Sequence, residues 1–143
     1  AIRDSMEMWV RYADSHKGFC VGLKTEELVQ ISQYVGAWGE VNYYDELPII
    51  EWSEDDELKY AFLVHSKLRK WEFEQEYRLS KLEVQDRRAV LPSGLFAEII
   101  LGANMPNHSR DEILSIVEKE FPDAVVLEAQ ILNNSVVLTP RAK

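Results

Sequence analysis

Residues Ser53 to Leu79 read SEDDELKYAFLVHSKLRKWEFEQEYRL, and the period of this stretch changes once, at Trp71. Before that point Leu58, Ala61, Phe62, His65 and Leu68 recur at helical spacing, which predicts a helix from about Ser53 to Lys70. Its first turn carries Glu54, Asp55, Asp56 and Glu57, and its end carries Lys67, Arg69 and Lys70, the polarity that complements a helix dipole. From Trp71 onward the period is two. Trp71, Phe73, Gln75, Tyr77 and Leu79 fall on one side of the predicted strand, and Glu72, Glu74, Glu76 and Arg78 on the other. A helix running straight into a strand sets the class as mixed.

The flanking segments agree. Upstream, Met6, Trp9, Val10 and Ala13 form an apolar stripe on a predicted helix from Asp4 to Asp14, opened by Asp4 or Ser5. Lys17-Gly18 reads as its stop and Phe19 to Leu23 as a short strand. Thr25 is expected to cap a second helix that buries Leu28, Ile31 and Val35; Gly36 and Gly39 break that pattern, and Val41 to Tyr44 follows as a strand. Downstream, Leu95 to Leu101 predicts a buried strand closed by Gly102. Ser109 and Glu112 are placed as a capping box for a helix that ends at Pro122. Val125 to Leu132 and Val136 to Thr139 read as strands around an Asn133-Asn134 turn. The expected architecture is a single α+β domain over residues 1–143, a mixed or antiparallel sheet with about four helices.

Composition narrows the function classes. The chain has 143 residues, 46% hydrophobic and 29% charged, and a core burying about 68–70% of the unfolded surface is expected at this size. With 25 Asp and Glu against 16 Lys and Arg the net charge is −9, which opposes non-specific nucleic-acid binding and anionic membranes. One cysteine and three histidines make neither an internal disulfide nor a convincing zinc cage. No transmembrane run, phosphate-binding loop, dinucleotide glycine motif or serine-nucleophile elbow is present, so a cytoplasmic protein outside those enzyme classes is expected.

Two clusters carry candidate chemistry. The first is Trp9, Tyr12, His16 and the neighbouring Lys17. If the helix reaches His16, the imidazole sits one turn from the Tyr12 phenol, beside the Trp9 indole, an acid–base group next to a stacking platform. Core packing is the commoner role for such a Trp, and a His at a helix end often meets only carbonyls. The second cluster is Glu74, Glu76 and Arg78. Successive same-face strand residues lie about 6.5–7 Å apart, so two carboxylates there could act on a hydroxyl while the guanidinium clamps an anionic group. The plain alternative is a solvated strand face neutralised by its own Arg. His65 reads as a satisfied core histidine, His108 as a residue preceding a helix cap, and Cys20 as a buried thiol.

Met8 to Cys20 and Lys67 to Arg78 together resemble the signature of an uncharacterised bacterial domain family, M-W-x-x-Y-A-x-x-H-x-G-x-C followed by K-x-x-x-W-x-x-E-x-E-Y-R, with Ile99 to Gly102 matching a later I-I-L-G. The resemblance covers most of the chain and implies no established activity or cofactor. It also implies a further N-terminal stretch with an N-D-P-F-like loop, so a longer protein or a completing partner chain is expected.

Three readings follow. The first is an enzyme of transferase type acting on a nucleotide-like molecule of NAD or ADP-ribose type. Here Glu74, Glu76 and His16 would be catalytic, and Trp9, Tyr12, Lys17 and Arg78 would bind; a strand-borne E-x-E is similar to what ADP-ribosyltransferase-like folds use. The second is a non-catalytic ligand-binding or regulatory module in a phage-defence or toxin–antitoxin setting. The third is structural, with Arg78 paired to Glu74 or Glu76 and His16 bonded to backbone.

Overall fold

The computed structural model describes residues 2–31, 35–51, 55–82 and 84–141. The chain divides into two compact units, Ala1–Ile2 with Val29–Arg88, and Arg3–Leu28 with Ala89–Lys143. The content is α+β, as the period change predicts, and the principal sheet is mixed.

The second of these units is built on a four-stranded sheet in the order β1 (Phe19–Leu23), β6 (Phe96–Leu101), β7 (Val125–Leu132), β8 (Ser135–Pro140). β1 and β6 are antiparallel, β6 and β7 parallel, and β7 and β8 antiparallel. The parallel step is made by helix α4 (Asn107–Glu120). Alternation along β6 feeds two cores. Ile100 packs with Trp9 of helix α1 (Met6–Tyr12) and with Leu127, Ala129 and Val136. Ile99 and Leu101 pack with Met105 and with Val117 of α4. Both faces of β6 are covered, which is why Ile99 to Leu101 is an unbroken apolar run. Asn133 and Asn134 take φ of 50° and 60°, the left-handed pair that a tight hairpin turn requires.

Three elements of this unit differ from expectation. α1 stops at Tyr12, because Asp14, Ser15 and His16 turn left-handed. The second helix is a single turn, α2 (Thr25–Leu28), and Val35 is buried without belonging to it. α4 begins at Asn107 with Pro106 as its N-cap residue. Pro106 lies at φ −60° and its carbonyl already accepts from Arg110 N–H at 3.0 Å, so the Ser109–Glu112 box is not used and His108 lies inside the first turn.

The Val29–Arg88 unit holds two small sheets, β2 (Ala37–Glu40) antiparallel to β5 (Tyr77–Ser80), and β3 (Asn42–Tyr44) parallel to β4 (Ser66–Leu68). Helix α3 runs Asp56–His65, with the Asp55 carboxylate accepting from Glu57 N–H at 2.7 Å. Ser53 and Glu54, the expected start, lie outside the described residues. α3 does not reach Lys70. Ser66 turns extended at ψ 140°, Ser66–Leu68 joins β3, and the Val64 carbonyl, which a longer helix would satisfy, accepts from Arg78 Nη1 instead.

The alternating strand from Trp71 is also corrected. Arg69–Glu74 is a 3₁₀ helix, closed by Gln75 at φ 41° and ψ 57°, and the strand begins only at Tyr77. Ion pairing is the physical reason. A straight strand would hold Glu74 and Glu76 about 7 Å apart, whereas the turn lets one ammonium, Lys67 Nζ, reach both carboxylates.

Candidate functional site

The tryptophan–histidine cluster lies within the sheet unit. Trp9 is 3% exposed, and its indole N–H donates to the Arg3 carbonyl at 2.8 Å, so no buried donor is left unmet. His16 is also 3% exposed. Its ring stacks on Trp9 with centroids 5.9 Å apart and 6° between planes. Asp14, Ser15 and His16 adopt φ of 45°, 54° and 68°, a conformation costing about 1 kcal/mol or more per non-glycine residue.

A dense set of hydrogen bonds offsets that cost. Ser15 N–H donates to Val10 O, His16 N–H to Trp9 O and Gly18 N–H to Ala13 O, at 3.2, 3.2 and 2.9 Å. Asn104 clamps the outer side, its backbone N–H on His16 O and its side-chain amide on Ser15 O, both at 3.0 Å.

Among the described residues the imidazole's polar contact is His16 Nε2 to Met6 Sδ at 3.2 Å. A thioether only accepts, so Nε2 carries the proton and Nδ1 is a bare acceptor. Among the described residues, Nδ1 is buried without a partner. Burial holds the His16 pKa below the ordinary 6.5. Tyr12, at 61% exposure, faces outward from α1, and exposed Lys17 pairs with Asp14 at 3.4 Å. The structure therefore brings Trp9 and His16 together but joins neither Tyr12 nor Lys17 to them. Cys20 packs against the same core; burial first, and the Glu98 charge second, push its thiol up.

The Glu74–Glu76–Arg78 cluster lies within the Val29–Arg88 unit and is gathered by a residue assigned above to a helix end, Lys67. Its ammonium donates to buried Glu74 and, at 3.2 Å, to Glu76. Arg78 grips Glu76 bidentately, Nε at 2.6 Å and Nη2 at 3.0 Å. The Tyr43 hydroxyl accepts from Glu76 N–H at 2.9 Å. Two cations balance two anions. The Arg78 hydrogen bonds, with help from Lys67, lower the Glu76 pKa from 4.5 to about 2. For Lys67, burial alone would lower the pKa, but its hydrogen bonds to Glu74 and Glu76 outweigh it and the net shift is upward. The signal for Lys67 was in the sequence, as the first residue of the K-x-x-x-W-x-x-E-x-E-Y-R pattern.

These shifts fix a pH dependence. Glu76 has a folded pKa below its unfolded one, so its stabilisation is complete above 4.5 and is lost as pH falls from 4.5 through about 2. His16 resists protonation when folded, so stability declines as pH falls below 6.5. Urea midpoints measured across this range should fall in two stages, the upper one absent in a His16→Gln variant. A profile flat from neutrality down to about 2 would contradict both assignments.

The same unit contains an open cavity of about 760 Å³. Trp38, Tyr60, Phe62 and His65 are among its lining residues, as are Glu40 and Glu57. β2 supplies Trp38 and Glu40, with Gly39 between them, and α3 supplies the rest. Glycine at 39 keeps the space beside the imidazole open, since a Cβ there would lie 3.7 Å from His65 Cε1 and Nδ1. His65 is half-buried and turned to this cavity rather than held in a core. Among the described lining residues none is Lys or Arg. The sequence hides this site because Gly36 and Gly39 look like breaks, whereas both lie in the cavity lining.

Among the described residues no group of three or more His, Cys, Asp or Glu is placed to hold a metal ion, and no helix is long and apolar enough to cross a membrane. A family model described as Protein of unknown function (DUF2971) matches residues 8–79, a range that takes in most of α1 and the strands through β4. No curated protein and no solved structure matches the chain.

Proposed function

Because the chain belongs to the DUF2971 family of proteins of unknown function, we propose from its own geometry that it is a binding module for a nucleoside-like small molecule, held in the Trp38–Tyr60–His65 cavity. The observation that carries this reading is the lining. Aromatic residues of β2 and α3 in the lining suit a flat heterocycle, acidic ones suit sugar hydroxyls, and the described lining offers no cation for a phosphate. The volume, about 760 Å³, lies in the range of small-molecule sites. On this reading Glu74, Glu76 and Arg78 serve the architecture, since each carboxylate is engaged by a cation of the same unit. Binding does not consume the ligand.

Calorimetric titration with adenosine, guanosine, cytidine and uridine, beside their 5′-monophosphates, tests the proposal. Nucleosides should bind, and the added phosphate should weaken binding. Trp38 is 51% exposed, so Trp38→Ala should leave the fold intact. Loss of one stacked ring should still cost about 1–3 kcal/mol, roughly five- to a hundredfold in affinity. Unchanged affinity in Trp38→Ala, or binding that requires the phosphate, would overturn this reading.

A further inference from the structure

Of the side chains in the 14–17 turn only the His16 imidazole is buried; Asp14, Ser15 and Lys17 are exposed. The turn is therefore plugged into the sheet unit by one ring, lying flat against Trp9. Its backbone is left-handed at three consecutive non-glycine residues, so the closed turn holds strain that an open one sheds. The plug fits only as a neutral ring. A protonated imidazole has two N–H donors and no acceptor. In the closed turn Nε2 meets a thioether, a weak acceptor, and Nδ1 is buried without a partner among the described residues. The charged groups of the surrounding elements are engaged with one another. On α1 Glu7 pairs with Arg11, and Tyr12 faces outward; in the turn Asp14 pairs with Lys17; on β6 Glu98 pairs with Arg3. Cys20 of β1, its thiol pushed up by burial, stays uncharged at and below neutrality, and residues 102–104, Gly-Ala-Asn, carry no ionisable side chain.

We propose that the 14–17 turn is an acid-released latch: uptake of one proton by His16 frees the imidazole from its seat, relaxes the left-handed backbone and uncovers the Trp9 indole, while the four-stranded sheet stays folded. Any buried imidazole makes overall stability fall with acid; here one turn opens ahead of the rest. Opening is local because the bonds it breaks belong to the turn: Ser15 N–H on Val10 O, His16 N–H on Trp9 O, and the two Asn104 contacts to Ser15 O and His16 O. Gly102 N–H on Gly18 O, and the Phe19–Leu101 pairing beyond it, stay in place. The device needs no ligand but the proton, and it lies in the unit that does not hold the Trp38–Tyr60–His65 cavity.

Hydrogen–deuterium exchange of single amides on the whole chain, corrected for intrinsic rates, tests the latch from neutrality down to the onset of Glu76 protonation. The His16 and Asn104 amides should be less protected than those of Ile100 and Leu127 throughout, since they open without the sheet. Their protection should fall below pH 6.5 by up to about tenfold per pH unit, because the open turn holds one proton more than the closed one. In His16→Gln, which has no proton to take up, the Asn104 amide should keep the same protection at every pH. Turn amides as protected as those of the sheet would overturn the proposal, as would protection that ignores pH in the wild-type chain. A pH dependence that persists in folded His16→Gln would also overturn it. Should that variant fail to fold, nuclear Overhauser contacts in the wild-type chain decide instead: a protonated His16 ring still seated on Trp9 overturns the latch, and a ring that leaves Trp9 as it is protonated supports it.

Discussion

Replacing Gly102 with alanine is expected to unfold the sheet unit. A Cβ at this position would sit 2.5 Å from the Gly18 carbonyl oxygen, 2.8 Å from the His16 carbonyl carbon, and closer still to the His16 oxygen. These are backbone atoms, so no rotamer change relieves the overlap. Relief requires separating two segments joined by Gly102 N–H on Gly18 O and Asn104 N–H on His16 O, each 3.0 Å and each worth about 1 kcal/mol. It also pulls on the Phe19–Leu101 pair that ends the β1–β6 ladder, beside fully buried Leu101. The sum places Gly102→Ala above about 4 kcal/mol, in the range reserved for gross steric conflict. Gly94 is the control. A Cβ there meets nothing within 4 Å, so Gly94→Ala should stay within about 0.5 kcal/mol of the parent. Chemical denaturation of the two variants side by side settles it, and equal midpoints would contradict the packing described.

The second large effect is expected at Lys67. Glu74 is 4% exposed, the most buried carboxylate among the described residues, and Lys67 Nζ is a cation that donates to it. Lys67→Met keeps much of the side-chain volume and removes the charge. Removing a cation that donates to a carboxylate in such a setting costs up to about 3–5 kcal/mol. Glu76 loses less, because Arg78 still holds both its oxygens. The double variant Lys67→Met with Glu74→Gln should recover much of the loss, since the remaining amide carries no charge to strand. A double variant no more stable than Lys67→Met alone would show that the charge on Glu74 is not what Lys67 serves.

Both effects lie in contacts that sequence periodicity does not encode, and the pattern of agreement follows from that. β1, β6, β7 and β8 were legible because their signals are local, an apolar run in Ile99–Leu101 and a left-handed Asn-Asn pair between alternating segments. The end of α3 was not, because Ser66–Leu68 leaves the helix for a parallel pairing with Asn42–Tyr44, and neither partner announces the other. The 3₁₀ turn at Arg69–Glu74 mimics a strand in composition and is bent by an ion pair to Lys67. Tyr12 and His16 were expected one helical turn apart with Trp9 on the same side; a left-handed turn instead stacks His16 on Trp9. Gly39 and His65, read as a break and a core residue, line the cavity instead, because glycine's missing side chain acts on space that only the fold creates.

Mapping of backbone amide shifts during titration with an uncharged nucleoside tests the binding account most directly. The prediction is a contiguous set of perturbations centred on Trp38, Gly39, Tyr60 and His65, saturating with one molecule bound. Perturbations centred instead on Glu74–Arg78 or on His16, or an unmoved spectrum at saturating nucleoside, would contradict it.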